Sequence, residues 1–60
     1  MNNYNITAAT ETQKYNIIGI IRSAGAIITG VSGYGSGYYI QLDATPKQAE
    51  TINKRLEAIA

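Results

Sequence analysis

The chain has 60 residues, a formal net charge of +1, and neither His nor Cys. Disulfides are therefore impossible, a structural zinc site is excluded in practice, and most nucleophile–base pairs lack a member. A chain this short buries only about 60% of the surface that its unfolded form exposes. We therefore expect one domain over residues 1–60, non-enzymatic and without cofactor or metal, that gains stability by association.

The first predicted element is a strand over residues 3–8, where apolar and polar side chains alternate. Alternation with period two predicts a strand with one buried face. The inward residues are Tyr4, Ile6 and Ala8. The outward residues are Asn3, Asn5 and Thr7.

The second predicted element is a helix that begins after Thr10 and stops at Gly25. Thr10 and Gln13 have the spacing of a capping box, and Gly25 suits the left-handed residue that ends a helix. The apolar residues at helical spacing are Ile17, Ile18, Ile21 and Ala24. Isoleucines and Gly19 are poor helix formers, so a strand over 16–21 is the alternative.

A β-hairpin is predicted next. Residues 26–32 are rich in β-branched side chains, and strict alternation places Ile28 on the face opposite Ile27. The Gly-rich segment 33–37 predicts a flexible turn. Residues 38–44 alternate again, which predicts a second strand of the hairpin. Its inward residues are Tyr38, Ile40, Leu42 and Ala44, and its outward residues are Tyr39, Gln41 and Asp43.

A second helix is predicted from Pro46 onward. Pro46 suits the first helical position, and Thr45 and Gln48 form a second capping box. The apolar residues Ala49, Ile52, Leu56 and Ile59 follow at spacings of three and four. Glu50 and Lys54 are placed for an i,i+4 ion pair.

These elements predict an α+β fold of order β-α-β-β-α, a three-stranded sheet with two helices packed on one face. The expected spatial order is first–third–second, a ferredoxin-like arrangement that lacks its fourth strand. The absent strand would lie beside the first strand. The outer edge of that strand is then a template for pairing with another chain.

The order of elements, with a first helix ending in Ser23-Ala24-Gly25, resembles a truncated ACT-type regulatory domain over nearly the whole chain. The resemblance implies a non-catalytic module that pairs through sheets or helices and binds a small effector at a subunit interface. The chain departs from the family in having no last strand. It also has Ala9-Thr10-Glu11-Thr12 where the family has an Asp-Arg-Pro-Gly-like turn.

The segment Gly37-Tyr38-Tyr39-Ile40-Gln41-Leu42 is similar to the end of the third-strand signature of the RNA-recognition motif. This resemblance implies that Tyr39 is an outward stacking residue for RNA or single-stranded DNA. The other aromatic positions of the motif fall on Gly37 and Asn5, and the expected basic residues are missing. Nucleic acid is therefore the weaker expectation.

Two candidate partner-binding features emerge. Tyr34, in the Gly-rich turn, is a predicted anchor because Tyr adds contact area at low entropic cost. A polar-aromatic patch is predicted on the sheet face without helices. Its residues are Tyr39, Gln41, Asn5 and Thr7. Ile28 is expected on the same face, where an exposed apolar side chain favours a contact surface.

Charge and hydropathy limit the locations and function classes that remain for this chain. The apolar stretch 15–28 is too short and interrupted to span a membrane. The N-terminal segment lacks a basic region followed by an apolar core, which predicts no signal peptide and a cytoplasmic location. The function we expect is non-catalytic protein–protein interaction by a homo-oligomer, such as a phage-type inhibitor or regulator of host machinery. The alternatives are an ACT-like effector sensor and a weak RNA or single-stranded DNA binder.

Overall fold

A computed structural model describes residues 1–35 and 37–59 of the chain, with the side chain of Tyr34 outside the described part. The elements are β1 (Asn2–Ala8), α1 (Glu11–Ser23), β2 (Ile27–Tyr34), β3 (Gly37–Ala44) and α2 (Pro46–Ile59). This confirms the predicted α+β order β-α-β-β-α, and it settles residues 16–21 as helix rather than strand.

The three strands form one antiparallel sheet in the order β1-β3-β2, as predicted. β1 pairs with β3 in an unbroken register that runs from Asn2 opposite Ala44 to Ala8 opposite Tyr38. β2 pairs with the other side of β3, from Ile27 opposite Asp43 to Tyr34 opposite Gly37. β3 is therefore the central strand, and β1 and β2 are the two edges.

Both helices pack on the same face of the sheet, where they build one small core. The buried residues are Ala8, Ile17, Ile21, Ala26, Ile40, Leu42, Ala44 and Ile52. The largest fully buried side chains are Ile21 of α1 together with Ile40 and Leu42 of β3. Alternation along β3 therefore puts every second side chain under the helices and the rest on the opposite face.

Helix α1 begins and ends where local sequence chemistry predicts. The Thr10 hydroxyl accepts a hydrogen bond from the Gln13 amide at 3.1 Å, and the Gln13 side chain accepts from the Ala9 amide at 2.9 Å. At the other end Gly25 has φ +87°. The amides of Gly25 and Ala26 donate to the carbonyls of Arg22 and Ile21. These two bonds form a Schellman motif, which satisfies the last carbonyls of the helix.

Helix α2 begins with a complete capping box. The Thr45 hydroxyl accepts from the Gln48 amide at 3.2 Å, and the Gln48 side chain accepts from the Thr45 amide at 3.0 Å. The same Gln48 side chain donates to the carbonyl of Gly25 at 3.2 Å. The predicted ion pair between Lys54 and Glu50 is present, with Nζ and Oε1 3.4 Å apart.

Strand β2 differs from the prediction because it contains a β-bulge. The register with β3 shifts between Ile28 and Gly30, so Thr29 is the extra residue. Ile28 lies opposite Leu42 and packs against the core under the helices. The expectation that Ile28 shares the outer face with Tyr39 is therefore wrong, because strict alternation does not hold across a bulge.

The hairpin turn is shorter than predicted. The strands continue to Tyr34 and resume at Gly37, which pair with each other, so only Gly35 and Ser36 connect them. Ser36 lies outside the described residues. Gly37 is required by a close approach, because a Cβ at this position would lie 2.6 Å from the carbonyl oxygen of Ala8.

Candidate functional site

The sheet face away from the helices, which we call the open face, holds the predicted polar-aromatic patch. The cross-strand registers arrange it as three rows of three residues, each row running from β1 through β3 to β2. The rows are Thr7, Tyr39 and Ser32; Asn5, Gln41 and Gly30; and Asn3, Asp43 and Ile27. The sequence prediction that Tyr39, Gln41, Asn5 and Thr7 share one surface is confirmed.

The first row is centred on Tyr39, whose side chain is 41% exposed. Thr7 and Ser32 lie directly opposite it on the two edge strands, and both are exposed. Directly opposite residues of antiparallel strands have Cβ atoms about 4.5–5.5 Å apart. The phenol ring is therefore flanked by two aliphatic hydroxyls, an arrangement that offers contact area together with hydrogen-bonding groups.

The middle row carries two amides and a gap. Asn5 and Gln41 are neighbours on β1 and β3, and both are exposed. On β2 the row reaches Gly30, where an added Cβ would lie only 3.2 Å from Oε1 of Gln41. The Gln41 side chain therefore lies close to the glycine, and a Cβ at position 30 would require it to shift by a few tenths of an ångström.

The third row combines a hydrogen-bonded carboxylate with an apolar side chain. Nδ2 of Asn3 donates to Oδ1 of Asp43 at 3.1 Å. On the other side of Asp43 lies Ile27, whose side chain is 57% exposed. Asp43 thus belongs to the open face, as the alternation of β3 predicts.

Ile27, not Ile28, is the exposed isoleucine of the open face. The glycine at position 30 was the available signal, since an isolated Gly inside a strand pattern often marks a bulge. Asn3 and Ser32 were also absent from the predicted site. Both residues are assigned to the open face once the registers of β1 and β2 with β3 are known. The predicted anchor Tyr34 has its backbone paired with Gly37, but its side chain is outside the described residues.

The open face is nearly neutral. Among its nine positions Asp43 is the one charged residue, and the basic side chains of the chain all lie on the two helices. Lys14 has the sequence position of a solvated helix residue, but it is half-buried and its Nζ lies 4.7 Å from the ring centroid of Tyr38. Arg55 donates to the hydroxyl of Ser23. The five basic residues thus belong to the helices and not to the strands that form the open face.

The chemistry available to the open face is hydrogen bonding and apolar contact. Its side chains supply three amides, three hydroxyls, one carboxylate and one isoleucine. Within the described residues no group of three or more potential metal ligands comes together. In the same residues, neither helix has the length and hydropathy needed to cross a membrane.

Two cavities lie along helix α2, on the helix side of the sheet. One, of about 80 Å³, is bounded by the β1 residues Tyr4 and Ile6 and by Ala49 and Ile52 of α2. The other, of about 190 Å³, lies between Ile17 of α1 and the end of α2. Both are smaller than the range of roughly 300–1,000 Å³ that is typical of small-molecule sites.

Comparison with protein-family models, with curated proteins and with solved structures finds no match for this chain. The ACT-type and RNA-recognition resemblances therefore stay predictions from the sequence. Function is inferred below from the geometry of the open face and of the sheet edges.

Proposed function

We propose that this chain is a non-catalytic binding protein that holds a protein partner on its open face and acts as a homo-oligomer. The observation that carries the proposal is the three-row arrangement centred on Tyr39. Protein-binding surfaces built from Tyr, Ser, Asn and Gly combine rigid aromatic contact area with adaptable hydrogen bonds. The open face has this composition on strands whose backbone is already ordered, so binding need not order a loop.

A protein partner fits these features better than the two alternatives. A nucleic-acid surface needs basic residues beside its stacking aromatic, and the cations here lie on the helices. A small effector needs an enclosing cavity, and the two cavities along α2 in a single copy are below the typical size, so an effector site would need a subunit interface to complete it. An inhibitor or regulator needs only to occupy a surface of its partner, which a face of this kind is able to do.

Self-association is the second part of the proposal. Within the described residues the core has eight buried members, and the largest of their side chains are Ile and Leu. A core of this size supplies only a few kcal/mol of stability in a domain below about 70 residues. The sheet also has two edge strands, and an edge strand without a protecting feature presents backbone groups that another strand is able to pair with.

The test uses two exposed tyrosines as a matched pair. Tyr39 is 41% exposed on the open face, and Tyr15 is 61% exposed on helix α1. Immobilised wild-type chain, Tyr39→Ala and Tyr15→Ala are each incubated with a lysate of the source cells, and retained proteins are identified by mass spectrometry. We expect a protein that wild type and Tyr15→Ala retain and Tyr39→Ala loses.

The affinity of that protein is then measured by titration calorimetry, with circular dichroism to show that each variant is folded. Loss of an aromatic anchor typically costs more than 1 kcal/mol of binding free energy, about fivefold or more in Kd. Equal retention by all three baits, or retention of nothing specific, would refute binding through the open face.

A further inference from the structure

The two edges of the sheet differ in their fitness for pairing. β2 carries the bulge at Thr29 together with Gly30 and Gly33, and bulges twist an edge away from further pairing. β1 has no bulge against β3 over Asn2–Ala8. It also contains no Pro and no charged side chain, which are the residues that commonly protect an edge. β1 is therefore the edge open to another strand.

We propose that the occupant of this edge is β1 of a second copy, paired antiparallel about a two-fold axis at Asn5. This inference rests on the self-association part of the proposed function and names the surface that performs it. Centring on Asn5 pairs all seven residues of β1. Centring on Tyr4 or Ile6 pairs only residues 2–6 or 4–8, so the Asn5 register buries the longest ladder.

The side chains of β1 are self-complementary in this register. On the helix side, Tyr4 lies opposite Ile6 of the second copy, an aromatic–aliphatic pair of the kind that stabilises antiparallel strands. On the open face, Asn3 lies opposite Thr7 of the second copy. At the axis the two Asn5 amides face each other, and each supplies both a donor and an acceptor. No like charges meet anywhere along the ladder.

The helix side of β1 has room for the second copy. Tyr4 and Ile6 are only half-buried and line the cavity of about 80 Å³ beside α2. Helix α2 therefore leaves the outer edge of β1 partly uncovered. A second Tyr4–Ile6 pair at the axis would cover these side chains, and all four helices would lie on one side of a six-stranded sheet. The two open faces would become one continuous surface.

The test is disulfide trapping in a chain that has no cysteine of its own. Opposite residues have Cβ atoms about 4.5–5.5 Å apart, close enough to form a disulfide with small adjustment. We expect Asn5→Cys to form a disulfide-linked dimer at least about tenfold faster than Thr7→Cys or Gln41→Cys. In the proposed register two Thr7 positions are about 13 Å apart along the strand, and Gln41 lies on the central strand.

Mixing two cysteine variants of β1 identifies the register in which the two β1 strands pair. Asn3→Cys mixed with Thr7→Cys should yield the mixed disulfide in preference to either homodimer, because these positions face each other across the axis. Preferential linkage of Asn3→Cys to Asn5→Cys would instead place the axis at Tyr4 and overturn the proposed register.

A charge variant supplies an independent readout by native mass spectrometry. Asn5→Lys places two cations at the axis and should convert a wild-type dimer to monomer. The matched control Gln41→Lys adds the same charge in the same row of the open face, one strand inward, and should leave the dimer intact. Circular dichroism shows that both variants are folded.

The outcomes separate this inference from the proposed function. A wild-type dimer that Asn5→Lys leaves intact and that Asn5→Cys does not trap would overturn pairing through β1, while self-association itself stands. A wild-type monomer at about 100 µM, well above the Kd range of stable assemblies, would overturn both. Partner capture by Tyr39 is measured separately and is not affected by either result.

Discussion

Along β3, Ile40 and Leu42 point toward the helices, whereas Tyr39 and Gln41 point away from them. The first pair is fully buried in the only core that the described residues form, and the second pair is exposed. Adjacent residues of one strand therefore lie in opposite environments. The buried apolar side chains that stabilise the fold lie on the helix side, and most side chains of the open face are exposed to solvent.

Because of this division, we expect substitutions on the helix side to lower the free energy of unfolding. Substitutions on the open face should leave it almost unchanged and are expected to alter binding. A domain of 60 residues has a free energy of unfolding of about 3–9 kcal/mol if it follows the usual range per residue. A single core truncation would remove a large share of that margin, and a truncation on the open face would remove little of it.

The largest effect is expected from Leu42→Ala compared with its neighbour Gln41→Ala. Truncating a fully buried Leu costs about 2–5 kcal/mol because apolar contacts are lost and a cavity remains. Truncating an exposed Gln away from such features costs within about 0.5 kcal/mol. Urea unfolding followed by circular dichroism measures both. Similar losses for the two variants would contradict the division between the faces.

The second largest effect is expected from adding a Cβ at Gly37, on the side of β3 that faces away from the helices. Gly37 lies on the same side of β3 as Tyr39, and a Cβ there would meet the Ala8 carbonyl at 2.6 Å. Because the obstacle is backbone, Gly37→Ala must displace β1 and should cost about 1–3 kcal/mol. Gly35→Ala is the control, since its Cβ would meet nothing within 4 Å. A tolerated Gly37→Ala would mean that the strands are not in close contact here.

A third comparison uses the adjacent residues Ile27 and Ile28. Relative to strict alternation, the bulge exchanges the faces that these two side chains occupy. Ile28→Ala removes a half-buried side chain and should cost about 1–2 kcal/mol, scaled from a fully buried residue. Ile27→Ala removes a side chain that is 57% exposed and should cost less than about 0.5 kcal/mol. If Ile27→Ala instead had the lower unfolding midpoint, Ile27 and not Ile28 would pack on the core. Strict alternation would then hold, and the bulge would be contradicted.

The smallest effect is expected at the start of helix α2, which belongs to neither face of the sheet. Thr45→Ala removes the hydroxyl that caps α2 and should cost about 1 kcal/mol. Thr51→Ala makes the same chemical change inside the same helix, where Ala is the better helix former. Thermal unfolding should therefore show a lower Tm for Thr45→Ala than for Thr51→Ala.

The features that are predictable from the sequence are local ones. Each helix start is encoded within four residues, as in Thr45 to Gln48, and the helix stop depends on the positive φ of Gly25. Alternation in β1 and β3 likewise determines which side chains share a face. The grouping of Tyr39, Gln41, Asn5 and Thr7 therefore follows from the sequence alone.

The features that sequence patterns miss depend on pairing between distant segments. The bulge at Thr29 exists only in relation to β3, so the face of Ile28 does not follow from counting along β2 alone. Asp43 precedes a helix start in the sequence, yet its carboxylate accepts a hydrogen bond from Asn3, 40 residues away. Lys14 over Tyr38 is another contact that only the packing of α1 on the sheet creates.

The Gln48 side chain joins two places that are 23 residues apart in sequence. Its amide oxygen accepts from Thr45 at the start of α2, and its amide nitrogen donates to Gly25 at the end of α1. If the first turn of α2 opens, the carbonyl of Gly25 loses this partner at the same moment. The two helix ends should therefore open as one cooperative unit, with matched amide hydrogen-exchange rates around Gly25 and Gln48.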